Sequence, residues 1–253
     1  MNIKAPLKTQ IPALRSLWKE AFGDTDAFLD IFFKTAFSLD RCRCITEDDQ
    51  VLAALYWFNC KYNNHSVAYI YAVATAQSHR GQGLCRHLMA DTHRHLAELG
   101  YESAILVPGS LELFHFYKKI GYQSCTGIRK FECEANTEEL LLLPVTKEEY
   151  ASLRKIHLPP NSILQEKENL DFLDMQADFY IGQGILFTVY KSKHSLSVIE
   201  LLGDISSAPA IVHTLGYKKG MFRTPGQSTP FTMYYPLQDH SVLPPSYFAF
   251  AFD

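Results

Sequence analysis

Leu, Trp, Phe and Ile recur at helical spacing over residues 10–22 and again over 26–38, with Asp24-Thr25 between them as turn and cap. This pattern predicts two amphipathic helices, and the whole N-terminal stretch to Phe22 reads as amphipathic. Strand-like runs follow at 41–46 and 51–61, and Asn63-Asn64 predicts a hairpin turn into 65–75. A glycine turn then leads into a helix over 83–99 that stops at Gly100. Residues 103–107 read as a short buried strand, 111–119 as a helix ending at Gly121, and 122–133 as a strand. The order ααβββαβαβ predicts an α/β domain with a mixed sheet over residues 1–135.

After the polar run 132–139 the pattern partly restarts, which predicts a second, smaller α/β unit over 140–253. Residues 140–145 read as strand, and Thr146 with Glu149 is a capping-box match opening a helix over 147–157. A helical stretch at 162–173 precedes strands at 175–182, 185–191 and 196–202, then a helix over 207–216. Where the first half carries its glycine turn, the second half reads GDISSAPA (203–210), so a duplicate has lost the loop. The tail PPSYFAFAFD alternates aromatic and small residues as a half-buried strand would.

Composition narrows the function classes. A chain of 253 residues with 47% hydrophobic and 20% charged residues is neither disordered nor coiled-coil, and its 17 Phe and 14 Tyr promise aromatic cores. A formal net charge of -3 gives no electrostatic case for nucleic acid. The N-terminus lacks the apolar core of a signal peptide, and no apolar run approaches the roughly 20 residues of a membrane span. Six cysteines, at 42, 44, 60, 85, 125 and 133, match no secreted disulfide framework. The expectation is a soluble cytoplasmic protein with free thiols and no membrane partner, its oligomeric state left open.

The sharpest chemistry lies in VATAQSHRGQGLCRHLM (73–89), where a strand becomes a helix through Arg80-Gly81-Gln82-Gly83. Glycines let backbone N–H groups face outward, the helix dipole adds partial positive charge, and arginine adds a planar fork. The turn is an anion site on chemistry alone. Its spacing is not that of a nucleotide-hydrolysing phosphate loop, and it lacks the acidic residue that a dinucleotide site places after a second strand.

The stretch Arg80-Gly81-Gln82-Gly83-Leu84-Cys85 resembles the acetyl-CoA loop of the GCN5-related N-acetyltransferases (GNAT), with Cys85 where that family prefers Gly or Ala. Phe116-Tyr117-Lys118-Lys119-Ile120-Gly121-Tyr122 resembles the family's second signature, although Ser110 replaces the usual Asn seven residues before the Tyr. The resemblance covers residues 1–133 by motif; the remainder is similar, by element order only, to the degenerate second unit of tandem members. It implies backbone pairing of pantetheine at Val73, Ala74 and Thr75, a pyrophosphate held by amides from Arg80, Gly81, Gln82, Gly83, Leu84 and Cys85, and cofactor contact at Ser110. It also implies that Tyr117 protonates the leaving thiolate while an amine attacks the thioester directly. Acetyl-CoA is thus the expected cosubstrate, and a small-molecule or peptide amine the expected acceptor.

The base is open. The family's fourth-strand Glu is missing from VAYIYAV, and Tyr71, Glu112, His115 or the terminal carboxylate of Asp253 are the alternatives. No metal is expected: Cys42 and Cys44 have no second pair at zinc-site spacing, and His87, Asp91 and His95 read as a solvated helix stripe. A catalytically weak acyl-CoA sensor or scaffold of the same fold is the competing function, and transfer of a longer acyl chain is a third.

Overall fold

The computed structural model describes residues 1–48, 50–238 and 243–252. In chain order its elements are β1 (Asn2–Lys4), α1 (Ile11–Phe22), α2 (Asp26–Thr35), β2 (Cys42–Glu47), β3 (Gln50–Tyr62), β4 (His65–Thr75), α3 (Leu84–Glu98), β5 (Ser103–Leu106), α4 (Leu111–Lys119) and β6 (Gln123–Glu134). These are followed by β7 (Leu143–Pro144), α5 (Lys147–His157), β8 (Leu164–Gln165), α6 (Glu168–Asp174), β9 (Asp178–Gly182), β10 (Ile185–Lys191), β11 (Leu196–Gly203), α7 (Ala208–Thr214), β12 (Lys219–Pro225) and β13 (Thr229–Pro236). The fold is mixed α/β, and among the described residues no helix is long and apolar enough to cross a membrane.

The described residues form two compact units, one of residues up to 123 with 233–238 and 243, the other of 124–232 with 244–252. In the first, β1 to β4 pair antiparallel in sequence order. β5 then runs parallel to β4, and the end of β13 pairs antiparallel with β5 from Met233↔Leu106 to Pro236↔Ser103. Period-two alternation divides the sheet's side chains between its faces. Tyr56, Phe58 and Tyr71 meet the rings of Trp18 and Phe32 on α1 and α2, and Tyr69 stacks on Phe58. Leu55, Trp57, Ala68 and Ile70 pack with Leu88, Leu96 and Tyr117 on α3 and α4. The helix ends obey their local sequence. The Thr25 hydroxyl accepts the Phe28 N–H at 3.2 Å to start α2, and Gly23 (φ 74°) closes α1 in the left-handed conformation.

Inside this core, the Nε2 of His93 lies 2.8 Å from the Tyr122 hydroxyl. Burial drives the imidazole pKa from 6.5 down to about 4, so His93 is neutral where it meets the Tyr122 hydroxyl. The unfolded chain binds a proton at this residue below pH 6.5 and the folded chain only near pH 4. Stability therefore falls as pH drops through that window, by about 3 kcal/mol from this residue at most. Thermal melts of the wild type should show that acid limb, and melts of His93→Gln should show it flattened.

In the second unit, β6 pairs antiparallel with β12 from Lys219↔Glu134 to Pro225↔Ile128. β12 is parallel to β11, and β10, β9 and β7 continue antiparallel. Ile211 and Val212 of α7 pack with Phe187, Val198 and Phe222 on one face. On the other face the Glu200 carboxylate, 0% exposed, receives the Arg154 guanidinium at 2.7 and 3.0 Å and the Tyr150 hydroxyl at 2.5 Å. The Arg154 guanidinium lies 4.6 Å from the centre of the Phe250 ring. Thr146 and Glu149 form the expected capping box at the start of α5.

Several elements differ from the sequence pattern. Residues 2–4 form a strand rather than part of an amphipathic helix, and 162–173 divides into β8 and the short α6. The tail is not a strand. Tyr247 to Phe252 are buried consecutively rather than alternately, and Phe252 adopts φ 59°. The Phe250 peptide groups are met by a side chain: Gln165 accepts the Phe250 N–H at 3.0 Å and donates to the Phe250 carbonyl at 2.8 Å, while the Tyr247 carbonyl accepts the Ile163 N–H at 2.9 Å. The unit boundary also departs from the expected break at 135–140. β6 directly follows α4 in the chain yet, from Ser124 on, belongs to the second unit, and β13 follows β12 yet ends beside β5.

Candidate active site

The distal end of β4 carries a bulge. Ala54 pairs with Ala74 and Tyr56 with Tyr71, so Ala72 and Val73 together face Leu55, and Ala72 takes φ 49°. Registered pairing of β4 with β5 ends at Tyr69↔Ile105, six residues before β4 itself ends. The two parallel strands therefore part, leaving the β5-facing edge of Val73, Ala74 and Thr75 available to an extended ligand.

Beyond Thr75 a single turn at Gln77–His79 leads to the glycines. Arg80 folds back so that its Nε donates to the Thr75 carbonyl at 3.1 Å, fixing the loop against the strand end. Gly81 (φ 77°) and Gly83 (φ 81°) are left-handed, and α3 begins at Leu84 with no side-chain cap and no acidic residue in its first turn. Among the described residues, the N–H groups of residues 81–86 have no hydrogen-bond acceptor. A Cβ built on either glycine would meet nothing within 4 Å. Protein packing does not demand glycine here; backbone conformation and an open approach to six bare amides do.

Tyr117 lies on the buried face of α4, 7% exposed, with the rings of Phe116 and Tyr122 edge-on at 5.2 and 5.7 Å. Burial raises its phenol well above the usual range, and the adjacent Cys85 adds to the rise, so Tyr117 stays protonated throughout the neutral range. Burial likewise pushes the Cys85 thiol up to about 11, leaving it a packing thiol rather than a nucleophile. Ser110 is the N-cap of α4, its hydroxyl accepting the Leu113 N–H at 3.3 Å.

Of the residues weighed as base, Tyr71 stands at the bulge, half-buried, its ring 5.6 Å from Trp18 and 5.5 Å from Phe58. Glu112 and His115 are exposed on α4, and Ser110 holds the Glu112 carboxyl below the usual carboxylate range. Asp253 lies outside the described residues. Of the stripe read as solvated, His87 is exposed, whereas the Asp91 carboxylate accepts the Arg43 Nε–H at 3.0 Å and His95 sits against Trp57. Cys42 and Cys44 are buried with raised thiol pKa values, and among the described residues no three metal-ligating side chains cluster.

The second unit repeats the frame without the anion site. β11 has its own bulge at Ile199, since Thr188 pairs with Glu200 and Val189 with Val198. At the following turn a Cβ on Gly203 would lie 2.0 Å from the Gly184 carbonyl, so the backbone is already covered. The Asp204 carboxylate accepts the Ser206 N–H at 2.9 Å and its hydroxyl at 2.8 Å. These bonds hold its pKa low, and a built-in anion occupies the turn where the first unit leaves amides bare.

The glycine turn and Tyr117 lie on the elements that the sequence pattern predicts, whereas the hydrogen bond that pins Arg80 and the bulge residue Ala72 were not foreseen. Neither an arginine turned back on its own strand nor an alanine with positive φ leaves a signal in residue type.

Residues 2–125 match the family model described as an acetyltransferase (GNAT) domain. The fold is that of solved structures at low identity. A GCN5-related N-acetyltransferase from Anabaena variabilis is 16% identical, with TM-score 0.74 over 94% of this chain and 73% of that one. One from Kribbella flavida is 14% identical, with TM-score 0.72 over 92% and 70%. Eis1 from Mycobacterium abscessus is 11% identical, with TM-score 0.71 over 94% and 74%. No curated protein matches the sequence. With the glycine loop, the bulged and parted strands and the domain match in one place, the chain belongs to the GCN5-related N-acetyltransferase superfamily of acyl-transfer proteins.

Proposed function

We propose that the first unit transfers an acetyl group from acetyl-CoA to a primary amine, and that the second unit does not bind the coenzyme. The carrying observation is the run of bare amides at residues 81–86, opening beside the unpaired edge of β4. The pyrophosphate binds those amides, and the pantetheine arm extends β4 at Val73, Ala74 and Thr75. The neutral amine attacks the thioester carbon, and the oxyanion is met by a backbone N–H exposed near the bulge. As the C–S bond breaks, Tyr117 donates its hydrogen bond and then its proton to the sulfur; the proton lost by nitrogen passes through water and restores the phenol. Amide and free thiol are the products, with no net proton change.

The raised phenol pKa refines this role. Tyr117 is a weaker acid than the thiol it protonates, so its main contribution is hydrogen-bond donation to the sulfur as charge develops. Tyr117→Phe should therefore lower kcat roughly 100-fold with little change in acetyl-CoA affinity. The test is thiol release from acetyl-CoA across a panel of primary amines, wild type against variant. Amine-dependent release lost in the variant supports transfer. Tight coenzyme binding with no release for any amine, or for longer acyl-CoA donors, supports the sensor reading instead.

A further inference from the structure

The second unit has a cleft of its own, of about 310 Å³, on four neighbouring strands in the order β6, β12, β11, β10. It lies where β11 parts from the parallel β12. Their registered pairing ends at Val198↔Phe222, beside the bulge at Ile199, and β11 runs on to Gly203. The gap is not left open as it is beside β4: the Thr224 hydroxyl donates to the Leu201 carbonyl at 2.8 Å across it. What the cleft offers therefore lies on the face of the sheet rather than along a strand edge.

Register fixes that face. Tyr190 pairs with Ser197, Ser197 with Met221, and Arg223, two residues on, with Lys130 of β6. All of them line the cleft, as does the buried Ile199. Residues opposite one another on adjacent strands hold their Cβ atoms about 5 Å apart, and like charges so placed repel. The Arg223 guanidinium and the Lys130 ammonium both lie over the Phe231 ring, 5.8 and 6.0 Å from its centre. Among the described residues lining the cleft there is no carboxylate. Glu132, opposite Met221 in register, meets the Lys219 ammonium at 3.2 Å instead.

A carboxylate seated between Lys130 and Arg223 gains from both charges, and the arginine fork suits its two oxygens. Ile199 and Met221 give the same space an apolar floor, which favours a hydrocarbon body over a second charge. We propose that this cleft binds a small carboxylic acid, its carboxylate between Lys130 and Arg223 and its apolar body over Ile199 and Met221. The proposal rests on residues of the second unit alone, so its failure leaves the acetyl-CoA reading standing, and the converse holds.

Calorimetry on the full chain with phenylbutyrate, phenylbutanol and acetate reads the charged and apolar parts of the site separately. Wild type should bind phenylbutyrate roughly ten-fold tighter than the alcohol, which lacks the charge, or acetate, which lacks the body. Lys130→Gln/Arg223→Gln should bind acid and alcohol alike, and Ser197→Trp, which fills the cleft, should bind neither. Four results overturn the proposal: no saturable binding of the acid, affinity for the alcohol or acetate equal to it, a preference that survives the double variant, or undiminished binding to Ser197→Trp. Unchanged melting temperatures show that lost affinity is not lost folding. Should the double variant unfold, Lys130→Gln alone, at an exposed position, decides the case. Its acid-to-alcohol preference should fall at least about three-fold, and an unchanged preference overturns the proposal.

Discussion

On the proposed function, Gly83→Val is expected to raise the Kd for acetyl-CoA at least about 100-fold while the protein stays folded, because the new side chain would stand before the loop amides assigned to the pyrophosphate. Gly83 has φ 81°, and a Cβ added there meets nothing within 4 Å. The intrinsic penalty is the left-handed backbone, about 1–2 kcal/mol for a residue with a Cβ. Melting should therefore shift modestly while binding collapses. Isothermal calorimetry together with a thermal melt separates the two, and unchanged affinity would sink the assignment of the loop. Gly83→Ala should fall between wild type and valine, since it adds the strain with little of the bulk.

Arg154→Ala is expected to cost about 3–5 kcal/mol of stability, the largest loss foreseen for any single side chain in the second unit. Arg154 and Glu200 are both at most 2% exposed, and removing the guanidinium strands a carboxylate in the core beside Tyr150. It also removes the cation lying against Phe250. Denaturant titration measures the loss. The charge-free pair Arg154→Met with Glu200→Leu should recover most of it, because the cost lies in an unpaired buried charge rather than in lost attraction. A double variant as unstable as Arg154→Ala would show that packing around the guanidinium dominates.

Elements with a local pattern were legible in the sequence. The stripe of α1, the Thr25 cap, the capping box at Thr146 and the turn at Asn63-Asn64 depend on neighbours within a few residues, and each stands where the pattern puts it. Elements defined by distant partners were not. β1 is three residues long and exists because Ile3 pairs with Ile45. The tail alternates in sequence yet is buried on consecutive residues, with one bridge to Ser162 and the Gln165 amide meeting the Phe250 peptide groups in place of a strand ladder. At the site, the glycines announced themselves by residue type. The parting of β4 from β5 did not, since it depends on how far a four-residue strand reaches along an eleven-residue one.

The placement of β13 sets a timetable for synthesis. The residues that cover the free edge of β5, Met233 to Pro236, leave the ribosome more than a hundred residues after β5 itself. At ordinary elongation rates that is a wait of roughly ten seconds, during which the nascent first unit holds its glycine loop and α4 but lacks its last strand. An open edge rich in Ala, Ile and Leu invites pairing with other chains for that whole interval. The glycine loop is thus among the first parts of the chain to be translated, while the sheet of the unit that carries it is completed more than a hundred residues later.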